Sequence, residues 1–159
     1  MDYLWTPWRY RYIASEKKDD SCVFCTAASV NDDAATLIIL RGKKNFIILN
    51  RYPYTSGHVM VVPYAHIADL PSADSDTLAE MMRLAQQVQV ALEKTYHPQG
   101  YNIGMNLGRA AGAGIVGHLH LHVLPRWAGD ANFMTVVGET RVEPEELSTT
   151  YERLRAALA

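Results

Sequence analysis

The chain has 159 residues, about the length of a single domain. Apolar residues make up 48%, charged residues 20%, and the net charge is −2, which excludes a disordered chain, a coiled coil and a disulfide scaffold. The near balance of acids and bases argues against a nucleic-acid-binding face, and apolar runs such as Leu37–Leu40 are far too short to cross a membrane.

Residues 1–20 read as an aromatic and basic arm: Tyr3, Trp5, Trp8, Tyr10 and Tyr12 alternate with Arg9 and Arg11, and Pro7 interrupts any early helix. Its aromatics are expected to pack on the domain or on a second subunit. The arm has no apolar h-region, so the expectation is a chain without a signal peptide in a reducing, cytoplasmic compartment. There, the spacing of Cys22 and Cys25 (C-x-x-C) points to a metal site or redox motif rather than a structural disulfide.

Three strands are expected next, over Thr36–Arg41, Phe46–Asn50 and His58–Pro63, bounded by Gly, Pro and Asn. From Asp74 to Tyr96 the period changes to helical, with Leu78, Met81, Met82, Ala85, Val88, Leu92 and Tyr96 on one stripe. Asp74 or Asp76 can cap its start, Pro98 and Gly100 stop it, and His97 falls at its end. A strand over Tyr101–Asn106 follows, then a Gly-rich loop from Gly108 to Gly117, then a strand over His118–Pro125. A terminal helix is expected over Glu143–Leu158, with Pro144 at its first position and Leu147, Tyr151, Leu154 and Leu158 on one face. This order makes one α+β domain over residues 1–159, with a mostly antiparallel sheet.

The last strand carries the chemistry. His118, His120 and His122 share one face because successive strand side chains alternate, and Leu119, Leu121 and Val123 share the other. A row of imidazoles can hold a metal, or one imidazole can act as a nucleophile while its neighbours set its tautomer and bind an anion. A solvated histidine face is the bland alternative. The preceding glycines favour phosphoryl chemistry, since backbone N–H groups free of side chains can approach an oxyanion closely.

The run H-L-H-L-H-V-L, His118–Leu124, resembles the signature of the histidine triad superfamily of nucleotidyl hydrolases and transferases. The segment FIILNRYPYTSGHVMVVPYAHI is similar to that family's first hairpin. The resemblance implies an α+β sheet of about five antiparallel strands with one long helix, and usually a homodimer. It also implies that His120 attacks the α-phosphorus of a nucleotide, forming a covalent nucleotidyl-histidine. His122 would contact the scissile oxygens, with His118 and His58 in support. Asn50 matches a ribose-contacting position, and Asn106 a polar residue on the phosphate side. Gly112 and Gly114 belong to the loop beside the phosphates. Many members carry Gln-Ser or Gln-Thr just before the triad, where this chain has Gly114 and Ile115. A hydroxyl contact is therefore missing.

The resemblance also implies a structural zinc. Zinc-containing relatives match with Cys22, Cys25, His66 and His118, leaving His120 and His122 for chemistry. A reduced thiol pair, a catalytic metal on the three triad histidines and a thioredoxin-like role are the alternatives. The flanking segments resemble a bacterial branch similar to diadenosine tetraphosphate phosphorylases, which use inorganic phosphate as acceptor. The implied substrate is an adenine dinucleoside polyphosphate. A purine nucleoside phosphoramidase and a non-catalytic nucleotide-binding protein are the alternatives, with neither nucleic acid nor membrane as partner. Trp127 and Phe133 are candidates to stack adenine, and Arg109 and Arg126 to neutralise a polyphosphate.

Overall fold

The computed structural model describes residues 21–130 and 145–159. The expected N-terminal arm, Phe133, Glu143 and Pro144 lie outside these residues. Two short helices open the described chain, α1 (Val23–Ser29) and α2 (Asp33–Thr36). Neither was expected from the sequence. The side chain of Asp32 caps α2 by accepting from the Ala35 N–H, and Leu37, in the left-handed region at φ 65°, turns the chain into the sheet.

Five strands follow: β1 (Ile38–Arg41), β2 (Asn45–Leu49), β3 (Val59–Pro63), β4 (Gly100–Gly104) and β5 (Leu121–Arg126). They form one antiparallel sheet in the order β1-β2-β3-β5-β4. The long helix α3 (Ser75–Tyr96) connects β3 to β4, and α4 (Leu147–Leu158) ends the chain. The fold is α+β with five antiparallel strands, as expected.

Both faces of the sheet are covered. Ile47, Leu49, Val59, Val61, Leu121 and Val123 pack with Met81, Ala85, Val88 and Leu92 of α3. Phe46, Ile48, Met60 and Val62 point to the other face, where Phe24 of α1 and Ile38 join them. The strict alternation follows from the two-residue period of strands. In α3 the buried stripe includes Leu84, whereas Met82, expected inside, is 53% exposed. At 100° per residue, position 82 lies on the flank of a stripe through 77, 81, 84, 85, 88 and 92. Asp74 is the cap, accepting from the Thr77 N–H, and exposed His97 terminates the helix in the left-handed region. No described helix is long and apolar enough to cross a membrane.

The first four strands shift by one or two residues from expectation, and two element starts shift further, for physical reasons. α4 begins at Leu147, not Glu143, with Glu146 as its cap. The carboxylate of Glu145, just ahead of it, bonds to the Tyr96 hydroxyl, accepts from the Thr150 hydroxyl and pairs with Arg153, pinning α4 to the end of α3. β5 begins at Leu121, not His118. The β3–β5 register runs through Val61 opposite Leu121; continued outward it would set Val62 opposite His120 and then Pro63, which has no N–H to give, opposite Leu119. The Leu119 N–H instead donates to the Ile67 carbonyl at 2.6 Å.

Candidate functional site

His118 and His120 precede β5 and His122 lies within it, yet all three rings sit on the face opposite Leu119, Leu121 and Val123. All three are buried, and burial pushes each imidazole below its ordinary pKa, His122 to about 4. For His118 and His122 a neighbouring histidine adds to the depression. Near neutral pH the rings are therefore neutral, and each has one N–H and one lone pair.

Their partners decide which nitrogen is which. His120 Nδ1 lies 2.7 Å from the His118 carbonyl oxygen. A carbonyl only accepts, so Nδ1 carries the hydrogen and Nε2 carries the lone pair. His118 is the reverse: its Nε2 donates to the Pro63 carbonyl at 2.8 Å, which leaves the Nδ1 lone pair facing the cysteines. His58 follows a third logic. The Tyr54 N–H donates to His58 Nδ1 at 3.1 Å, and the Asn50 amide nitrogen lies 3.3 Å from the same atom. His58 Nε2 therefore carries the hydrogen and donates to His122 Nδ1 at 2.9 Å. His122 is left with its hydrogen on Nε2. The site thus contains one imidazole with a lone pair available on Nε2 and a neighbour, ring centres 4.8 Å apart, with an N–H there.

The turn that places His58 depends on Gly57. Its φ is +77°, and a Cβ would lie 2.9 Å from a Leu92 methyl and 3.2 Å from Pro125. Only glycine fits both constraints.

His120 and His122 open onto a cavity of about 730 Å³, a size typical of a small-molecule site. Val23, Phe24, Ala27, Leu37 and Ile48 are among its apolar lining. Asn50, Asn106, Gly112 and Gly114 line it as well, which places these four expected residues beside His120 and His122. Gly112 has φ +83°, and its N–H donates to the Arg109 carbonyl, so this residue provides room rather than a free donor. The described lining residues include no carboxylate and one cation, Arg51, a balance that suits an anionic ligand.

Phe24, Arg51 and Tyr54 were not singled out from the sequence. Phe24 packs against His118 and His120 at 5.4 and 5.2 Å between ring centres, and Tyr54 against His58 at 4.8 Å. The available signals were Phe24's place inside the C-x-x-C motif and Tyr54's four-residue spacing from His58. Trp127 and Arg126 are elsewhere. The Trp127 indole donates to the Tyr96 carbonyl, and Arg126 is clamped by Asp130 and Asn102. Neither lines the cavity, and neither does Arg109.

Beside the cavity, Cys22, Cys25, His66 and His118 converge, with their ligand atoms all within 4.8 Å of one another. Cys22 Sγ lies 3.2 Å from His118 Nδ1, and Cys25 Sγ 3.3 Å from His66 Nδ1 and 3.6 Å from His118 Nδ1. Tetrahedral zinc with sulfur and nitrogen bonds of about 2.3 and 2.1 Å separates its ligands by about 3.5 Å. The donor set and its spacing fit such an ion. Burial and the Cys22 thiol raise the Cys25 thiol above its ordinary pKa. A cation between the ligands acts oppositely, since metal binding requires the thiolate.

Known proteins resemble this chain in sequence and fold. The "AP-4-A phosphorylase" of Mycobacterium tuberculosis is 39% identical over 157 residues, covering 94% of this chain and 80% of that protein. A Zn-bound histidine triad family protein from Mycobacterium smegmatis superposes with a TM-score of 0.71 at 34% identity, covering 87% of this chain and 94% of that one. A hypothetical histidine triad nucleotide-binding protein from Sulfolobus tokodaii superposes at 0.68 with 28% identity, covering 86% and 91%. The HIT domain family model matches residues 31–129, a span that holds the first hairpin, the long helix and the entire histidine row. By this match and by its 39% identity to a relative covered over most of its length, the chain belongs to the HIT domain family.

Proposed function

We propose that the chain is a nucleotidyl transferase or hydrolase that cleaves dinucleoside polyphosphates through a covalent AMP-histidine intermediate. The observation that carries this reading is the His120 Nδ1–H bond to the His118 carbonyl, which frees Nε2 as a nucleophile. His120 Nε2 attacks the α-phosphorus, forming a P–N bond, and the P–O bond to the remaining polyphosphate breaks. The His122 Nε2–H donates to the departing oxygen. A polyphosphate leaves as an anion near neutral pH and needs no proton, so a neutral His122 suffices as a hydrogen-bond donor. An amine leaving group would require a full proton, which makes a phosphoramidate the less suited substrate. The acceptor then attacks phosphorus, the P–N bond breaks, and its electron pair returns to His120. Asn50 faces the ribose, the apolar lining takes the base, and Asn106 with the glycine loop faces the phosphates. The homology to a named AP-4-A phosphorylase supports a diadenosine polyphosphate with inorganic phosphate as acceptor.

Cys22, Cys25, His66 and His118 are the residues that would hold a zinc ion. When bound, the ion supplies structural cross-linking rather than chemistry, tying α1 and the β3–α3 connection to the histidine segment. His118 is suited to it because its other nitrogen is fixed on Pro63. The whole chain is read as one domain working in the cytoplasm as a homodimer. β4 supports the dimer: it closes the sheet order, no described strand pairs with its outer side, and Ile103 there is 44% exposed.

A product assay tests the reaction. Diadenosine tetraphosphate is incubated with and without inorganic phosphate, and the nucleotides are separated. The expected products are ADP and ATP, formed only with phosphate. AMP and ATP without phosphate would identify water as the acceptor. No turnover, with cleavage of an adenosine phosphoramidate instead, would replace this reading with the phosphoramidase one.

A further inference from the structure

Cys22 and Cys25 combine three properties. Both are partly exposed free thiols, both sulfurs belong to the four-ligand cluster, and Phe24 between them covers the candidate nucleophile. A metal-thiolate site sealed in a core is inert, but here His66 is exposed and both cysteines are partly exposed. Cys22 is the extended cap residue of α1, at φ −67° and ψ 122°, so its side chain is not confined by the helix. The sulfurs lie within 4.8 Å of each other, and side-chain rotation can close that separation to a bond of about 2.05 Å.

We propose that Cys22 and Cys25 form a reversible disulfide that lowers activity under peroxide stress. The proposal rests on the metal and nucleotidyl-transfer readings above. In the step, one cysteine sulfur attacks the peroxide O–O bond, giving a sulfenic acid and water. The second sulfur displaces the sulfenic oxygen as water and forms the S–S bond. Two thiols and one hydrogen peroxide give one disulfide and two waters. From the metal-bound thiolates, two protons come from solvent and the cation is released.

The consequence follows from the geometry. A disulfide removes two of four ligands, and His66 with His118 cannot hold a tetrahedral ion. α1 then loses its tie to the histidine segment. Phe24 rides on α1, lines the cavity and packs on the rings of both His118 and His120. The His118 carbonyl sets the His120 tautomer. The redox state of the pair therefore reaches the nucleophile through a ring contact and a hydrogen bond.

The test uses the full chain, loaded with zinc and treated with hydrogen peroxide. Intact mass should fall by two hydrogens, with Cys22 and Cys25 in one cross-linked peptide. A chromogenic chelator should detect one zinc released per chain. Turnover should fall about tenfold or more and recover with dithiothreitol plus zinc. A Cys25→Ser chain, which cannot form the disulfide, should show no loss that dithiothreitol reverses. The proposal is overturned if the thiols stay reduced, if the disulfide forms while turnover is unchanged, or if Cys25→Ser is reversibly inactivated. Zinc content and turnover before treatment test the two underlying readings separately. If either is absent, peptide mass and AMP affinity before and after peroxide still decide the switch: a disulfide that leaves affinity unchanged overturns it.

Discussion

His58 Nε2 donates to His122 Nδ1 at 2.9 Å, and a backbone N–H, that of Tyr54, dictates the direction of that bond. A peptide N–H cannot accept, so the hydrogen must run from His58 to His122 and emerge on His122 Nε2. His58 is thus a positioning residue for the His122 donor. His58→Ala should lower kcat by about 10- to 100-fold with a smaller change in KM. His58→Gln, which can donate to Nδ1, should recover part of the loss. Steady-state kinetics on both variants checks this; an unchanged kcat in His58→Ala would show that the relay does not matter.

His120 should be needed for chemistry but not for binding. His120→Ala is expected to lower turnover by at least about a thousandfold while nucleotide still binds. An alkaline quench should trap labelled AMP on the natural chain and none on the variant. Retained turnover would refute the covalent mechanism.

The buried histidines make an acid-side prediction. Unfolded imidazoles protonate near pH 6.5, whereas folded His122 stays neutral to about pH 4 and His120 is also depressed. Between these values the unfolded chain binds more protons, so stability should fall as pH drops from about 6.5 toward 4. It should be insensitive to these groups above 6.5. Each ring contributes a slope of up to about 1.4 kcal/mol per pH unit. Denaturant titrations at pH 7, 6 and 5 test the sign. In the same window, the acid limb of kcat/KM should lie below the ordinary histidine range.

The exposed edge of β4 predicts the assembly. Ile103→Lys places a charge on the outer strand and should shift the chain from dimer to monomer in analytical ultracentrifugation, with the far-ultraviolet spectrum unchanged. A dimer that survives this change would place the interface elsewhere.

Much of the site was legible because it is written in local patterns. The alternation of His118, Leu119, His120, Leu121 and His122 assigns faces wherever the backbone is extended, even ahead of β5. C-x-x-C confines two sulfurs to one turn. The stripe in α3 and its Asp74 cap are likewise short-range features. The helix α1 was missed because a seven-residue helix, seen alone, has little to distinguish it from a loop.

The sequence by itself determined which residue types stand in the row, the order of the five strands with the long and terminal helices, and the family. Only the tertiary structure decided what each imidazole can do. Two of the three tautomers are set by partners from other elements, Pro63 from β3 for His118 and the Tyr54 turn through His58 for His122, whereas the His120 partner, the His118 carbonyl, is two residues away. The Cys22, Cys25, His66 and His118 cluster likewise forms only where α1 and the chain after β3 meet the histidine segment. A proton's position on a ring depends on whichever donor or acceptor lies within about 3 Å. No local pattern in the chain specifies which distant backbone group that will be.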